Sequence, residues 1–213
     1  MDIIYLDNLY AYGPCTTPFI ETSPYTPNSV KGRIRASAAE QLMALSGKGQ
    51  VRVCIVRAAS FFGPGVETSV VGKQALVGAL TGGTVYLLGD PTQPHTLTYL
   101  PDAITALIRL AEEPMAYGHA WHVPNDCQGS VRELLAQVAQ GSPKKMQERI
   151  AGRTMVRMIG LFNPLMREQR EMMYMYEQAF RVSHAKTAKT FNLRATPVKQ
   201  AIAESVAWAR AQS

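Results

Sequence analysis

The chain has 213 residues, 46% hydrophobic and 18% charged, with a net charge of +6; that length buries a substantial core without staples, and no stretch approaches the roughly 20 apolar residues of a membrane span. The opening Met1-Asp2-Ile3-Ile4 has no basic stretch and no small-residue cleavage site, so it does not read as a secretory signal. Cys15, Cys54 and Cys127 are an odd number without metal-ligand spacing, which argues against a disulfide framework or a cysteine metal site and suits reduced thiols in a cytoplasm.

Ile3 to Leu6 is a short apolar run bounded by Asp7-Asn8 and reads as a buried strand. Pro14, Pro18, Pro24 and Pro27 then break residues 13 to 30 into loop. From Lys31 to Leu45 the pattern becomes helical, with Ile34, Ala38, Leu42 and Leu45 near one face, and Gly47-Lys48-Gly49 ends it. Val51 to Val56 reads as a second strand, Val70 to Leu80 as a helix, and Thr84 to Leu88 as a third strand ahead of a Gly89-Asp90 turn. Asp102, read as an N-cap, opens an amphipathic helix carrying Ile104, Leu107, Ile108 and Ala111, which Pro114 stops. A strand at Ala120 to Val123 follows, and Ser130 with Glu133 forms a capping box before Leu134, Leu135 and Val138. Met146 to Phe162 and Glu168 to Phe180 are helix-compatible and rich in Met, and Thr196-Pro197 places an N-cap and N1 proline ahead of a final helix. The alternation of strand and helix predicts an α/β fold with a parallel sheet.

Basic residues gather at Lys144, Lys145, Arg149, Arg153 and Arg157, and again at Lys186, Lys189, Arg194 and Lys199. Without interleaved stacking aromatics they read as solvated helix faces, so nucleic acid is not expected as a partner, and with no stretch long and apolar enough to span a bilayer no membrane partner is expected either. His119 and His122 lie three apart in or beside a strand, which sends them to opposite faces and argues against a shared metal. No Gly-x-Ser-x-Gly elbow supports a hydrolase.

Five segments in order resemble the extended short-chain dehydrogenases, the NAD(P)-dependent epimerase/dehydratase family and its reductase relatives. They are Ile3 to Asn8 with Tyr12-Gly13; Glu21 to Pro27 with Ser29 and Gly32; Arg57 to Gly65; Gly89-Asp90 with Tyr99 to Asp102; and Thr196-Pro197 with the helix ending in Trp208. The resemblance implies a partial Rossmann-like doubly wound parallel sheet with a small C-terminal substrate lobe. It implies one incomplete Rossmann-like unit over 1–213, its core mostly in 1–115 and its lobe mostly in 60–100 and 120–213. The family's Gly-x-x-Gly-x-x-Gly turn, which seats the cofactor diphosphate on a helix N-terminus, has no counterpart here, so the chain reads as truncated.

The family's catalytic Tyr and Lys, four residues apart on one helix face, correspond to Lys31 and Arg35, and its Ser or Thr corresponds to Asn8. In one reading Lys31 is the acid/base, Arg35 a permanent cation orienting ribose or phosphate oxygens, and Asn8 an amide partner for the reacting oxygen. In the other the pair is a basic patch on a helix that has lost its chemistry. Tyr10 and Tyr12 flank the loop after the first strand, where they either reach substrate, Tyr10 as an alternative phenolic acid, or pack in the core. Tyr99 either faces substrate or serves the fold. By resemblance Ser60 stands for a substrate-binding Asn and His95 for a phosphate-binding Arg, while Arg35 and Arg57 face NAD or NADP. The implied activity is that of an oxidoreductase or isomerase acting on a sugar nucleotide or another hydroxy or keto compound. The alternative is a non-catalytic binding or regulatory homologue, or a fragment needing an upstream segment, a second copy or a complementing chain.

Overall fold

The computed structural model describes residues 1–14, 17–140, 142 and 144–212. In chain order its elements are β1 (Asp2–Asp7), α1 (Val30–Gly47), β2 (Arg52–Arg57), β3 (Ser60–Phe62), α2 (Lys73–Thr81), β4 (Thr84–Leu88), β5 (Leu97–Tyr99), α3 (Leu100–Glu112), β6 (His119–His122) and α4 (Val131–Val138). They continue as β7 (Gln147–Ala151), α5 (Arg153–Ile159), α6 (Pro164–Arg170), α7 (Tyr174–Glu177), α8 (Ala185–Phe191) and α9 (Val198–Arg210). Every pairing between these strands is parallel, giving the α/β class expected. The chain forms two compact units: residues 1–59, 101–125 and 182–195 make the first, and residues 60–100, 126–181 and 196–213 the second.

The first unit is built on a three-stranded sheet in the order β1-β2-β6. Val53, Cys54, Ile55 and Val56 are all buried, the continuous apolar run of a central strand in a parallel sheet covered on both faces. Val53 and Ile55 pack with Ala39 of α1, and Ile3, Tyr5, Tyr25 and Leu42 close over them. Register aligns Asp7 with Arg57 and Arg57 with His122, so three polar residues stand in a row across the strand ends. The segment 182–195, which the sequence places in the substrate lobe, joins this unit through a bridge between Phe19 and Val182 and through α8 against β6.

The second unit holds two parallel pairs, β3-β5 and β4-β7. Its core gathers Phe62, Leu76, Leu87 and Leu97 with Leu134, Leu135 and Ile202 of α4 and α9. The Ser130–Glu133 capping box forms as the sequence predicts.

Four expectations are revised. The stretch from Met146 to Phe162 is not one helix, because Gln147–Ala151 pairs with β4 as a strand. The helix expected to begin at Asp102 begins at Leu100, with Asp102 in its first turn; it buries Ala103, Ala106 and Leu110 and exposes Ile104 and Ile108. Likewise α1 buries Gly32, Ala36 and Ala39 and leaves Ile34 62% exposed. In both helices small residues supply most of the inward face, where close packing leaves little room for larger ones, while Ile34 of α1 and Ile104 and Ile108 of α3 face out. The start of α9 lies one residue later than expected: Pro197 is the N-cap, and Asp126 Oδ2 accepts the Val198 N–H at 2.8 Å.

Candidate functional site

The loop after β1 and the first turn of α1 are locked together by backbone geometry. Gly13 has φ +72°, and a Cβ there would sit 2.1 Å from the Thr26 carbonyl oxygen. A Cβ on Gly32 would sit 2.6 Å from the Tyr10 carbonyl oxygen, so only glycine allows this approach without displacement. The Thr26 hydroxyl donates to the Tyr12 carbonyl at 2.7 Å, and Ser29 caps α1 by accepting from Gly32 N–H at 3.0 Å. These contacts fix Asn8, Tyr10, Lys31 and Arg35 on neighbouring elements of the first unit.

Asn8 is half-buried and its Oδ1 accepts the Tyr10 N–H at 3.0 Å, which leaves the amide NH2 as the group that can meet a ligand oxygen. Tyr10 and Lys31 are half-buried. Arg35, one turn after Lys31, donates to the Tyr5 hydroxyl at 2.8 Å and lies 3.8 Å from Asp7 Oδ1, with its side chain 40% exposed. It thus serves the fold with one nitrogen while part of the guanidinium still reaches solvent.

Tyr12 takes the core alternative, and Arg57, read from sequence as facing the cofactor, is buried beside it inside the first unit. Arg57 Nε donates to Asp7 Oδ2 at 3.2 Å, one terminal nitrogen donates to Tyr12 at 2.7 Å, the other donates to Tyr25, and both rings lie 4.9 Å beneath the guanidinium. The side chains of Arg57 and Asp7 are fully buried. His122 Nδ1 lies 2.8 Å from the Ser183 carbonyl, to which it can only donate, so Nε2 accepts from the Tyr12 hydroxyl at 2.8 Å. The direction of donation therefore runs from Arg57 to Tyr12 to His122 to Ser183. Burial raises the Tyr12 phenol to about 12 and lowers His122 to about 4. Burial also raises Asp7, against the pull of Arg57. The network is a neutral-histidine, buried-cation support for the strand ends, with its donors already engaged.

In the second unit β3 and β5 bring Ser60 and His95 together: the Ser60 hydroxyl lies 3.1 Å from His95 Nε2, and His95 Nδ1 lies 3.1 Å from the Met175 carbonyl. The carbonyl can only accept, so Nδ1 carries the proton and donates to it, and Nε2 accepts from Ser60. His95 is 2% exposed, stacked between Tyr176 and Phe180, and burial lowers it to about 4. It is neutral at pH 7 and cannot replace a phosphate-binding cation, which corrects the sequence assignment. Tyr99 is also buried, its hydroxyl donating to Glu204. His119 is exposed and His122 buried, on opposite faces as expected, and the described residues contain no His, Cys, Asp and Glu cluster able to hold a metal.

Asp7, Tyr5 and Tyr25 were not singled out from sequence. Their signal is one of register: a carboxylate at the end of β1 beside an arginine at the end of β2, which is visible only once the strands are paired.

The fit of a dinucleotide is partial. Arg35 offers a cation near Lys31, but Gly47 ends α1 and Gly49 follows it ahead of β2, and Gly82-Gly83 follow α2. Neither of these two turns leads from a strand into a helix, so neither is built to seat a diphosphate on a helix N-terminus.

The sequence model of the NAD dependent epimerase/dehydratase family matches residues 4–123. No curated protein matches the sequence. Among solved structures, the chain is similar to dTDP-glucose 4,6-dehydratase from Bacillus anthracis in complex with NAD, at TM-score 0.78 and 17% identity, covering 99% of this chain and 62% of that one. It is similar to UDP-glucuronic acid 4-epimerase from Bacillus cereus in complex with UDP-glucuronic acid and NAD, at TM-score 0.78 and 14% identity, covering 100% and 62%. RMD from Pseudomonas aeruginosa complexed with NADPH follows at TM-score 0.74 and 15% identity, covering 100% and 67%. The chain thus spans about three fifths of the length of the first two structures.

Proposed function

The chain belongs to the NAD dependent epimerase/dehydratase family, and on that footing we propose that it supplies the proton-handling and substrate-facing part of an NAD(P)-dependent epimerase/dehydratase-like oxidoreductase. The substrate class is a sugar nucleotide or another small hydroxy or keto compound. Lys31 exchanges the proton with the substrate oxygen, the Asn8 amide donates to that oxygen, and Tyr10 lines the approach. Arg35 holds the ribose or phosphate side of the nicotinamide cofactor. The observation that carries this reading is the locked junction of the Asn8–Tyr10 turn with the first turn of α1, where Gly32 is forced against the Tyr10 carbonyl. Such rigidity is what a proton-transfer site requires of its supports.

The test is a redox assay of the chain with a panel of hydroxy and keto substrates, including sugar nucleotides, at about millimolar cofactor. Turnover is expected to fall by about a hundredfold or more in Lys31→Ala, the usual contribution of a positioned acid/base. Activity that survives Lys31→Ala overturns the assignment. A second reading, a non-catalytic homologue, is favoured by the engagement of Arg35 with Tyr5 and Asp7; absence of turnover from a folded wild-type chain at a cofactor concentration where binding is detected selects it.

A further inference from the structure

The net charge of +6 is unevenly placed: residues 144 to 170 carry seven basic residues against two acidic ones, a net +5. The same stretch carries the exposed apolar side chains Ile150, Met155, Met158, Ile159, Leu161 and Phe162. Val156 and Gly160 turn α5 inward, and Met155, Met158 and Ile159, at helical spacing, face out. The turn from α5 to α6 then presents Leu161 68% exposed and Phe162 89% exposed. An exposed Phe beside an exposed Leu at a helical turn is costly in water, and single packing within the unit does not cover them. Arg157, Arg167 and Arg170 are exposed and enter no ion pair among the described residues, whereas Arg153 is paired with Glu177.

We propose that the α5–α6 turn is a docking surface for an anionic lipid bilayer, with Leu161 and Phe162 entering the headgroup boundary and Arg157, Arg167 and Arg170 meeting lipid phosphates. The combination of apolar side chains on one face with arginines beside them is the chemistry of interfacial helices that lie on a membrane without crossing it. No helix among the described residues is long and apolar enough to cross, so attachment is peripheral. The excess of positive charge selects the occupant. Two copies of the chain meeting through this surface would bring like charges together, whereas an anionic surface neutralises them. The basic groups that sequence alone assigns to a solvated face thus gain a partner once the neighbouring apolar tip is seen.

The experiment is cosedimentation of the chain with vesicles of phosphatidylcholine alone and with vesicles containing about one-third phosphatidylglycerol. Binding at least about tenfold stronger to the anionic vesicles is expected, weakening with added salt. Neutralising Arg157, Arg167 and Arg170 to Gln should each reduce it roughly fivefold. The variant Leu161→Ser with Phe162→Ser should lose about tenfold or more. Both residues are exposed, so an unchanged circular dichroism spectrum and thermal midpoint are expected for that variant. Equal or absent binding of the wild-type chain to the two vesicle types overturns the proposal. So does self-association, or capture of an acidic protein, that Phe162→Ser abolishes while vesicle binding is unaffected. None of these outcomes depends on whether Lys31 is catalytic.

Discussion

Replacing Arg57 by Met keeps most of the side-chain stem and deletes the charge that lies between Asp7, Tyr12 and Tyr25. Both members of the Arg57–Asp7 pair are fully buried, and breaking a buried pair by removing one partner costs about 3–5 kcal/mol. Protonation of the abandoned carboxylate sets a ceiling, since placing a proton at pH 7 on a group of ordinary pKa near 3.9 costs about 4 kcal/mol. The expected loss at pH 7 is therefore about 3–4 kcal/mol. Because burial already raises the Asp7 pKa, the difference between wild type and Arg57→Met should shrink as pH falls toward about 4, where the carboxyl is readily protonated. The assay is urea unfolding followed by Trp121 fluorescence in a Trp208→Phe background, because the two tryptophans lie in different units. The double variant Asp7→Asn with Arg57→Met should recover much of the loss. A loss under about 1 kcal/mol, or one that does not change with pH, would refute the reasoning.

Other outcomes follow from the same contacts. His95 and His122 are each held near 4 by burial against an ordinary value of 6.5. Their contribution to stability is complete above pH 6.5 and is lost as pH falls through about 4, at most about 3 kcal/mol for each. Asp7, raised by burial, works in the opposite sense and offsets part of that loss; urea midpoints from pH 7 to about 4 read the balance. Gly32→Ala drives a Cβ to 2.6 Å from the Tyr10 carbonyl oxygen and should cost about 1–3 kcal/mol in thermal unfolding; a neutral result would mean that the turn is not locked. Asp126→Ala removes the carboxylate that accepts from the first turn of α9 and should cost about 1 kcal/mol, read by the same method.

The strands were legible because apolar runs bounded by Gly, Pro or Asp need only local information: β1, β2 and β4 fall where Ile3 to Leu6, Val51 to Val56 and Thr84 to Leu88 predict them. The Ser130 capping box was legible for the same reason. The inward faces of α1 and α3 were not, because Ala and Gly carry little hydropathy and the larger Ile34, Ile104 and Ile108 dominate any periodicity while facing out. Three-residue strands such as β3 and β5 are too short for alternation to register. In the site, the order of Asn8, Lys31 and Arg35 came from motif resemblance, and the structure adds the turn that fixes them. The burial of Arg57 and His95 could not be read, since sequence shows that a residue is polar but not whether its hydrogen-bonding groups are already satisfied by partners such as Tyr25 and Met175, which lie far away in the chain.

Titration of the chain with NADH and NADPH, followed by nicotinamide fluorescence, tests most directly the proposal that this polypeptide carries the proton-handling part of the site while the glycine turns after α1 and α2 do not seat the cofactor diphosphate. The account predicts no saturation below about 1 mM for either cofactor. Saturable binding in the micromolar range would contradict it and would require a diphosphate seat built from residues other than the glycine turns described.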